Sequence, residues 1–271
     1  MTDPTISEQN RHSWNAAVPA HVSHRPRLAA FLRAGGLTLF PEERELLGAV
    51  AGTRLLHLLC NTGQDTLSLA ALGAEVTGVD LSDVAIAEAR RLSVETGIAA
   101  RFVQDDVYAY LAAAPAGAFE RVYAGYGVIC WLPDLAAFAR GVARVLTPGG
   151  RFVLMEFHPV SNMFDQTWRL AHAYPAGGAQ LTLPGVGDYV GDAAGGLSPG
   201  GFAEGQRDFV NPHPCHLFRW GVGEVVSALA AAGLRITALR EYPFVNGERP
   251  FARMRPVPGR RWLPPEDVPS L

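Results

Sequence analysis

The feature that most constrains this chain is a change of period at Arg54. From there, short apolar runs alternate with stretches of helical periodicity: Leu55 to Leu59, Glu75 to Val79, Ala100 to Val103, Arg121 to Ala124 and Phe152 to Phe157 are each followed by a helix-like segment. That alternation predicts βαβ units and a parallel sheet, because a helical crossover brings the chain back to the same edge-to-edge direction. Helix punctuation agrees. Ser82 can cap a helix ending at Gly97, Asp134 can cap one ending at the Thr147-Pro148-Gly149-Gly150 turn, and Gly233 follows Val222 to Ala232. The units are dissimilar in sequence, so no solenoid is expected. The fold class is α/β, a doubly wound and mostly parallel sheet with helices on both faces.

The flanks are organised differently. Residues 1–50 read as an N-terminal helical cap, with helical segments from Trp14 to Ala34, interrupted at Pro19 and Pro26, and from Pro41 to Val50. Residues 51–158 and 218–241 make the core. Between them, 159–217 lose all period and fill with Gly, Pro and aromatics, an insertion after the fifth strand with no strand or long helix of its own. Residues 242–271 form a tail with too many prolines for a central strand. All belong to one domain, 1–271.

Composition removes several function classes. All 23 basic residues are Arg, which excludes Schiff-base chemistry and the phosphate-binding loop that ends in Lys. Against 26 acidic residues they leave a net charge of -3 without any arginine run, so neither nucleic acid nor a membrane surface is the expected partner. Cys60, Cys130 and Cys215 lack C-x-x-C spacing, and the start of the chain has no signal-peptide pattern, which points to a reducing, cytoplasmic setting.

In an open sheet of this kind, ligands bind beyond the carboxyl ends of the strands, where strand order reverses. The residues there are Cys60 to Thr66, Asp80, Asp105-Asp106, Gly125 to Gly127 and Glu156 to His158. Asp80 closes its strand 17 positions after Gly63, and a carboxylate so placed can accept both hydroxyls of a ribose. Its plainer reading is a helix-start acid beside Ser82.

Leu55 to Ala70, Val76 to Asp80, Phe102 to Val107 and Leu146 to Phe152 resemble the ordered motifs of class I S-adenosylmethionine-dependent methyltransferases. The resemblance spans about Leu55 to Phe157. It implies a Rossmann-like sheet of seven strands and bound S-adenosylmethionine, with Gly63 against the cofactor, Asp80 on the ribose, Asp106 at the adenine amino group and Val107 beside the ring. Cys60, Asn61, Gln64, Asp65, Leu81 and Tyr126 are its further cofactor neighbours. Two departures stand out. His57, Leu59 and Asn61 occupy the places of the family's acid and first two glycines, as in a subfamily with a His-Leu-x-Cys-Asn-x-Gly-Gln-Asp-Thr loop. No seventh strand is legible in the tail.

Methyl transfer needs the acceptor held about 3 to 3.5 Å from the methyl carbon and in line with the breaking bond, and no nucleophilic side chain. Trp14, Trp131 and Tyr126 are candidate aromatic neighbours of a sulfonium, Trp14 and Trp131 also of a small-molecule acceptor. Trp131 serves equally as a core residue. Glu156 and His158 share a strand face and are candidate catalytic or substrate residues, or else fix the insertion. The His213-Pro214-Cys215-His216 run is too narrow for a metal site, so no metal is expected, and His21 and His24 read as cap residues. A nicotinamide-dependent oxidoreductase, NAD(P) in place of the sulfonium, and a catalytically silent cofactor-binding module are the competing functions.

Overall fold

The structure, a computed structural model, describes residues 4–174 and 176–267; the first three residues of the expected cap, Pro175 of the insertion and the last four of the tail lie outside the described residues. Three N-terminal helices, α1 (Pro4–Ser23), α2 (Leu28–Arg33) and α3 (Pro41–Leu47), precede the sheet. The sheet follows as β1 (Arg54–Leu58), β2 (Glu75–Asp80), β3 (Arg101–Gln104), β4 (Phe119–Gly125) and β5 (Leu146–Met155), paired in the order β3-β2-β1-β4-β5 and parallel throughout. The crossovers are α4 (Gln64–Ala71), α5 (Asp83–Thr96), α6 (Val107–Ala113) and α7 (Leu135–Val145). Ser82 Oγ accepts the Ala85 N–H at 3.0 Å and Gly97 closes α5 at φ 71°, as the sequence requires.

Strand alternation divides the core. Leu56, Leu58 and Val122 point to one face, against Leu111, Phe138 and Val142 of α6 and α7. Leu55, Val76 and Tyr123 point to the other, against Leu47 of α3 and Leu69 of α4. Apolar strand residues therefore bury on both sides, the mark of a doubly wound sheet.

Three expectations change. The helix α1 starts at Pro4 and runs through Pro19 without a break. A proline costs one backbone bond, and tertiary contacts hold this helix: Asn10 brackets the His216 backbone, accepting its N–H at 2.7 Å and donating to its carbonyl at 3.0 Å, and Ser13 Oγ donates to His213 O at 2.9 Å. The Thr147–Gly150 stretch does not end the unit as a separate turn. It bulges within β5, so that Leu146 pairs with Phe119 and Arg151 with Arg121.

The sheet, third, holds five strands among the described residues rather than seven. The insertion, expected to lack strands, carries β6 (Ala179–Leu183), which pairs antiparallel with β7 (Cys215–Arg219) instead of joining the sheet, and α8 (Tyr189–Ala193). After α9 (Val222–Ala231), the proline-rich tail builds its own small sheet from β8 (Val245–Asn246), β9 (Arg255–Val257) and β10 (Arg261–Leu263). Short, separate strands tolerate proline where a central strand would not. Among the described residues no helix is long and apolar enough to cross a membrane.

Asn10 is buried and both ends of its side-chain amide are used on β7. Asn10→Ala should therefore lower the stability by about 2 to 4 kcal/mol, since it strands two buried backbone groups; a urea midpoint within error of the parent would refute this account of the α1–β7 join.

Candidate functional site

A cavity of about 510 Å³ opens at the carboxyl ends of the strands. It lies where the chain has turned from β1 towards β2 on one side and β4 pairs on the other, which leaves the two following loops free to diverge.

The loop after β1 forms its floor. Leu59 and Asn61 adopt φ 52° and 49°, so the left-handed turns that glycine favours are retained by residues with side chains. Asn61 pays little because its amide oxygen closes locally on the Thr62 N–H at 2.7 Å. Gly63, at φ 75°, does not line the cavity. A Cβ there would come within 2.7 Å of Ala89 and Phe102, so its glycine serves the packing of the loop against α5 and β3. His57, buried at the edge of the lining, has Nδ1 and Thr66 Oγ1 2.8 Å apart and its ring 4.9 Å from that of Tyr123. Burial holds its imidazole down to about 3, hence neutral.

Cys60, Asn61, Gln64, Asp65, Asp80, Leu81, Asp106, Val107 and Tyr126 all line the cavity. The Asp80 carboxylate accepts the Asn61 N–H at 2.7 Å through Oδ2 and the Ser82 N–H at 2.9 Å through Oδ1. Burial pushes its pKa up while these backbone donors, with that of Leu81, pull the other way. Each oxygen keeps a lone pair for a further donor. Asp106 spends more of its capacity internally: Oδ1 caps α6 by accepting the Tyr108 and Ala109 N–H groups, and Oδ2 accepts the Ser7 hydroxyl at 3.1 Å.

A buried arginine stands at the other end. Arg25 donates to Gln64 Oε1 at 2.6 Å, while its Nε has no partner although no solvent reaches it. Beside it, Asp65 accepts the Thr38 hydroxyl, and Arg260 donates to Thr38 O at 2.7 Å with its guanidinium 4.1 Å from the Phe40 ring centroid. Glu43, bonded to the Tyr123 hydroxyl and to the Phe40 N–H at 2.5 Å, is pushed up to about 8 by burial and then by the Asp65 charge.

The remaining wall is aromatic. Trp14 meets Trp131 edge-on at 5.3 Å and Tyr189 at 6.3 Å, so the two tryptophans named from the sequence do come together, joined by a tyrosine of α8. Leu183, Val186 and Leu217 from the insertion and β7 add apolar surface.

Glu156 and His158 are not part of the lining. The Glu156 carboxylate accepts the N–H groups of Gly127, Val128 and Ile129 at 2.6 to 2.8 Å and that of Phe157 at 3.3 Å, which fixes the loop after β4 and leaves no free oxygen for chemistry. His158 points outward, 41% exposed, and pairs with Glu241 at 2.7 Å. Two-residue periodicity put both on one strand face, but β5 ends at Met155 and the alternation ends with it. His21 and His24 tie α1 to the insertion, through Gly187 O at 2.9 Å and Asp188 at 2.7 Å. Among the described residues no group of three His, Cys, Asp or Glu could hold a metal ion.

Sequence reasoning missed Arg25, Glu43, Tyr189, Asn246, Glu248 and Arg260, which all line the cavity. They come from the cap, the insertion and the tail, where no periodicity indicates which side faces inward.

Residues 55–150 match the methyltransferase-domain family model. The chain is 37% identical over 114 residues to a demethylmenaquinone methyltransferase of Thermus thermophilus, covering 40% of this chain and 49% of the relative. It is 32% identical over 152 residues to an uncharacterized methyltransferase of Synechocystis, covering 55% of this chain and 68% of that one. The chain belongs to the class I S-adenosylmethionine-dependent methyltransferases. A solved S-adenosylmethionine-dependent methyltransferase from Mesorhizobium loti shares the fold, with a TM-score of 0.50 and 22% identity over 77% of this chain and 86% of that one. The aligned part spans about half the length of the Thermus relative. Membership in this family sets aside the nicotinamide oxidoreductase.

The neutral His57 has a stability consequence. Its folded value lies below the unfolded value of 6.5, so the stabilisation is complete above about pH 6.5 and is lost as pH falls towards about 3, where only the unfolded chain takes up the proton. His57→Gln should show a shallower loss of urea midpoint across that interval, and an unchanged slope would assign the acid sensitivity elsewhere.

Proposed function

We propose that this protein moves the methyl group of S-adenosylmethionine to a small-molecule acceptor by in-line displacement. The observation that carries the reading is the pairing, in one cavity, of a strand-end carboxylate with spare acceptor capacity, Asp80, and a buried guanidinium with an unpartnered Nε, Arg25. A nucleoside carrying an amino acid presents the groups that two such ends would bind: ribose hydroxyls at one and a carboxylate at the other.

In this reading Asp80 receives the ribose, Leu81 and Val107 border the adenine, and Asp106 has only part of its oxygen capacity left for the amino group. Arg25, with Gln64 oriented against it, takes the carboxylate of the methionine end, and Asp65 with Asn61 and Cys60 completes that side. The cofactor when bound supplies an electrophilic methyl on a sulfonium. The chain's own contribution is to orient the acceptor, to exclude water with the Trp14–Trp131–Tyr189 wall and to tolerate positive charge beside carboxylates and ring faces.

Acidic lining disfavours polyanionic acceptors, since Glu43, Asp65, Asp80, Asp106 and Glu248 all contribute to it. The Thermus relative is a demethylmenaquinone methyltransferase, which supports a small-molecule acceptor here. The silent-module alternative is separated by turnover after cofactor binding has been established.

Asp80→Ala should weaken S-adenosylmethionine binding at least tenfold, about 1.5 to 3 kcal/mol, by calorimetry on a folded variant. Asp80→Asn keeps one acceptor oxygen and should fall between the two. Equal affinity across the three proteins would remove Asp80 from the ribose site.

A further inference from the structure

We propose that Glu248 is the proton acceptor of the transfer site, and that the methyl acceptor is an arene bearing a protic heteroatom, O–H or N–H, held against Trp14 and Trp131. The proposal rests on the methyltransferase reading above and deepens it.

Five carboxylates line the cavity, Glu43, Asp65, Asp80, Asp106 and Glu248. The first four already have partners in the chain, Glu43 in Tyr123 and the Phe40 N–H, Asp65 in Thr38, Asp80 in two backbone amides, Asp106 in the start of α6 and Ser7, and the capacity left on Asp80 and Asp106 is assigned above to the cofactor. Glu248 alone has no hydrogen-bond or ion-pair partner for its carboxylate among the described residues. It follows β8 in the tail, held there by the Glu248 N–H bond to Asn246 O at 2.8 Å, while Asn246 itself donates to the Tyr126 hydroxyl at 2.9 Å.

Glu248 lines the same cavity as Trp14, Trp131 and Tyr189. The charge of Glu248 is felt by Cys130, next in chain to Trp131, and by Tyr189, whose ring packs on Trp14. The charged groups whose fields reach it are Asp192 of α8 and Glu156, the residue after β5, both acidic. Burial, then these two like charges, push the carboxyl up to about 7. A group so poised can both accept and release a proton near neutral pH.

The step balances without any further reactant. The acceptor heteroatom forms its bond to the methyl carbon as the carbon–sulfur bond breaks, the electron pair of that bond staying on sulfur. The heteroatom's proton passes to a Glu248 oxygen and from there to solvent once product leaves.

The test compares wild type, Glu248→Gln and Glu248→Asp in full-length protein. S-adenosylmethionine affinity is read by calorimetry, and formation of S-adenosylhomocysteine is followed with catechol and with benzylamine as acceptors across neutral pH. Glu248→Gln should lower kcat about a hundredfold, keep cofactor affinity within about twofold, and abolish the acidic limb of the pH–rate profile; Glu248→Asp should recover part of the rate with that limb displaced. Independently of turnover, wild type should show an infrared carboxylic-acid band that titrates near neutral pH and is missing from Glu248→Gln. Catechol turnover would assign an O–H acceptor and benzylamine turnover an N–H one. Should Glu248→Gln fail to fold, the infrared titration of wild type and the profile of Glu248→Asp decide. An unchanged kcat and acidic limb, no titrating band, or transfer to neither arene would overturn the proposal. Absence of cofactor binding in wild type would instead sink the methyltransferase reading on which it stands.

Discussion

The structure depends on the divergence of the chain between β1 and β4. Parallel strands need crossovers, and crossovers leaving β1 in one direction and reaching β4 in the other cannot close the gap above the sheet. Every functional group discussed lies at that gap because the backbone there is unpaired by the sheet and must find other partners. Asp80 meets this need for the β1 loop and the start of α5, and Glu156 for the loop after β4. Two carboxylates thus act as substitutes for ladder hydrogen bonds on the two sides of the opening. The strand-end acids that look alike in the sequence divide by what remains: Asp80 keeps accepting capacity and faces the cavity, whereas Glu156 is saturated.

Closing the opening is the task of segments outside the sheet. The cap, insertion and tail converge on it through polar ties of a single pattern, a side chain of one segment bonded to the backbone of another: Asn10 to His216, Ser13 to His213, Arg260 to Thr38. Such bonds are each worth only about 1 kcal/mol net, yet they are wholly or partly buried, and a buried backbone group left without its partner costs more than the bond contributed. The arrangement is therefore specified more by what would be lost on rearrangement than by gain. The same ties hold β7 at its Cys215–His216 end to α1, where it pairs with β6.

How much of this could be read from the sequence follows the same division. The first four strands were legible to within a residue or two because alternate burial on two faces leaves a period in the text, as at Leu55 and Leu56, whereas the fifth begins six residues before its apolar run because Leu146 pairs with Phe119 ahead of the bulge. Asp80, Asp106 and the β1 loop were legible as positions because they sit at the ends of those periodic runs. What Asp106 and Gly63 do was less so: one caps a helix and the other makes room for Ala89 and Phe102, roles that depend on neighbours distant in sequence. Pro19 misled because a single lost backbone bond is a local cost, while the contacts that hold α1 come from the far side of the chain. Glu248 and Arg25 had no signal. A lone charged residue in a Pro- and Gly-rich tail is written as a surface residue would be, and only the docking of β8 turns it inward.

The backbone strain follows the site as well. Among the described residues, seven other than glycine have positive φ, and four of them, Leu59, Asn61, Tyr126 and Arg260, line the cavity. A left-handed residue with a Cβ costs roughly 1 to 2 kcal/mol, so this concentration is maintained only where surrounding contacts dictate it. At each position such contacts are visible: Asn61 by Asp80, Tyr126 by Asn246 and by its N–H bond to Met155 O at 2.7 Å, Arg260 by Thr38. Leu59 differs, since its side chain packs against the apolar cluster of Leu58 and Val79 while its backbone turns into the cavity. A glycine in its place would relieve the turn and release that anchor. The loop has thus exchanged the freedom of a glycine-rich turn for a position set by packing, which fits a floor that must hold its shape while the segments above it, joined only by side-chain ties, form the rest of the chamber.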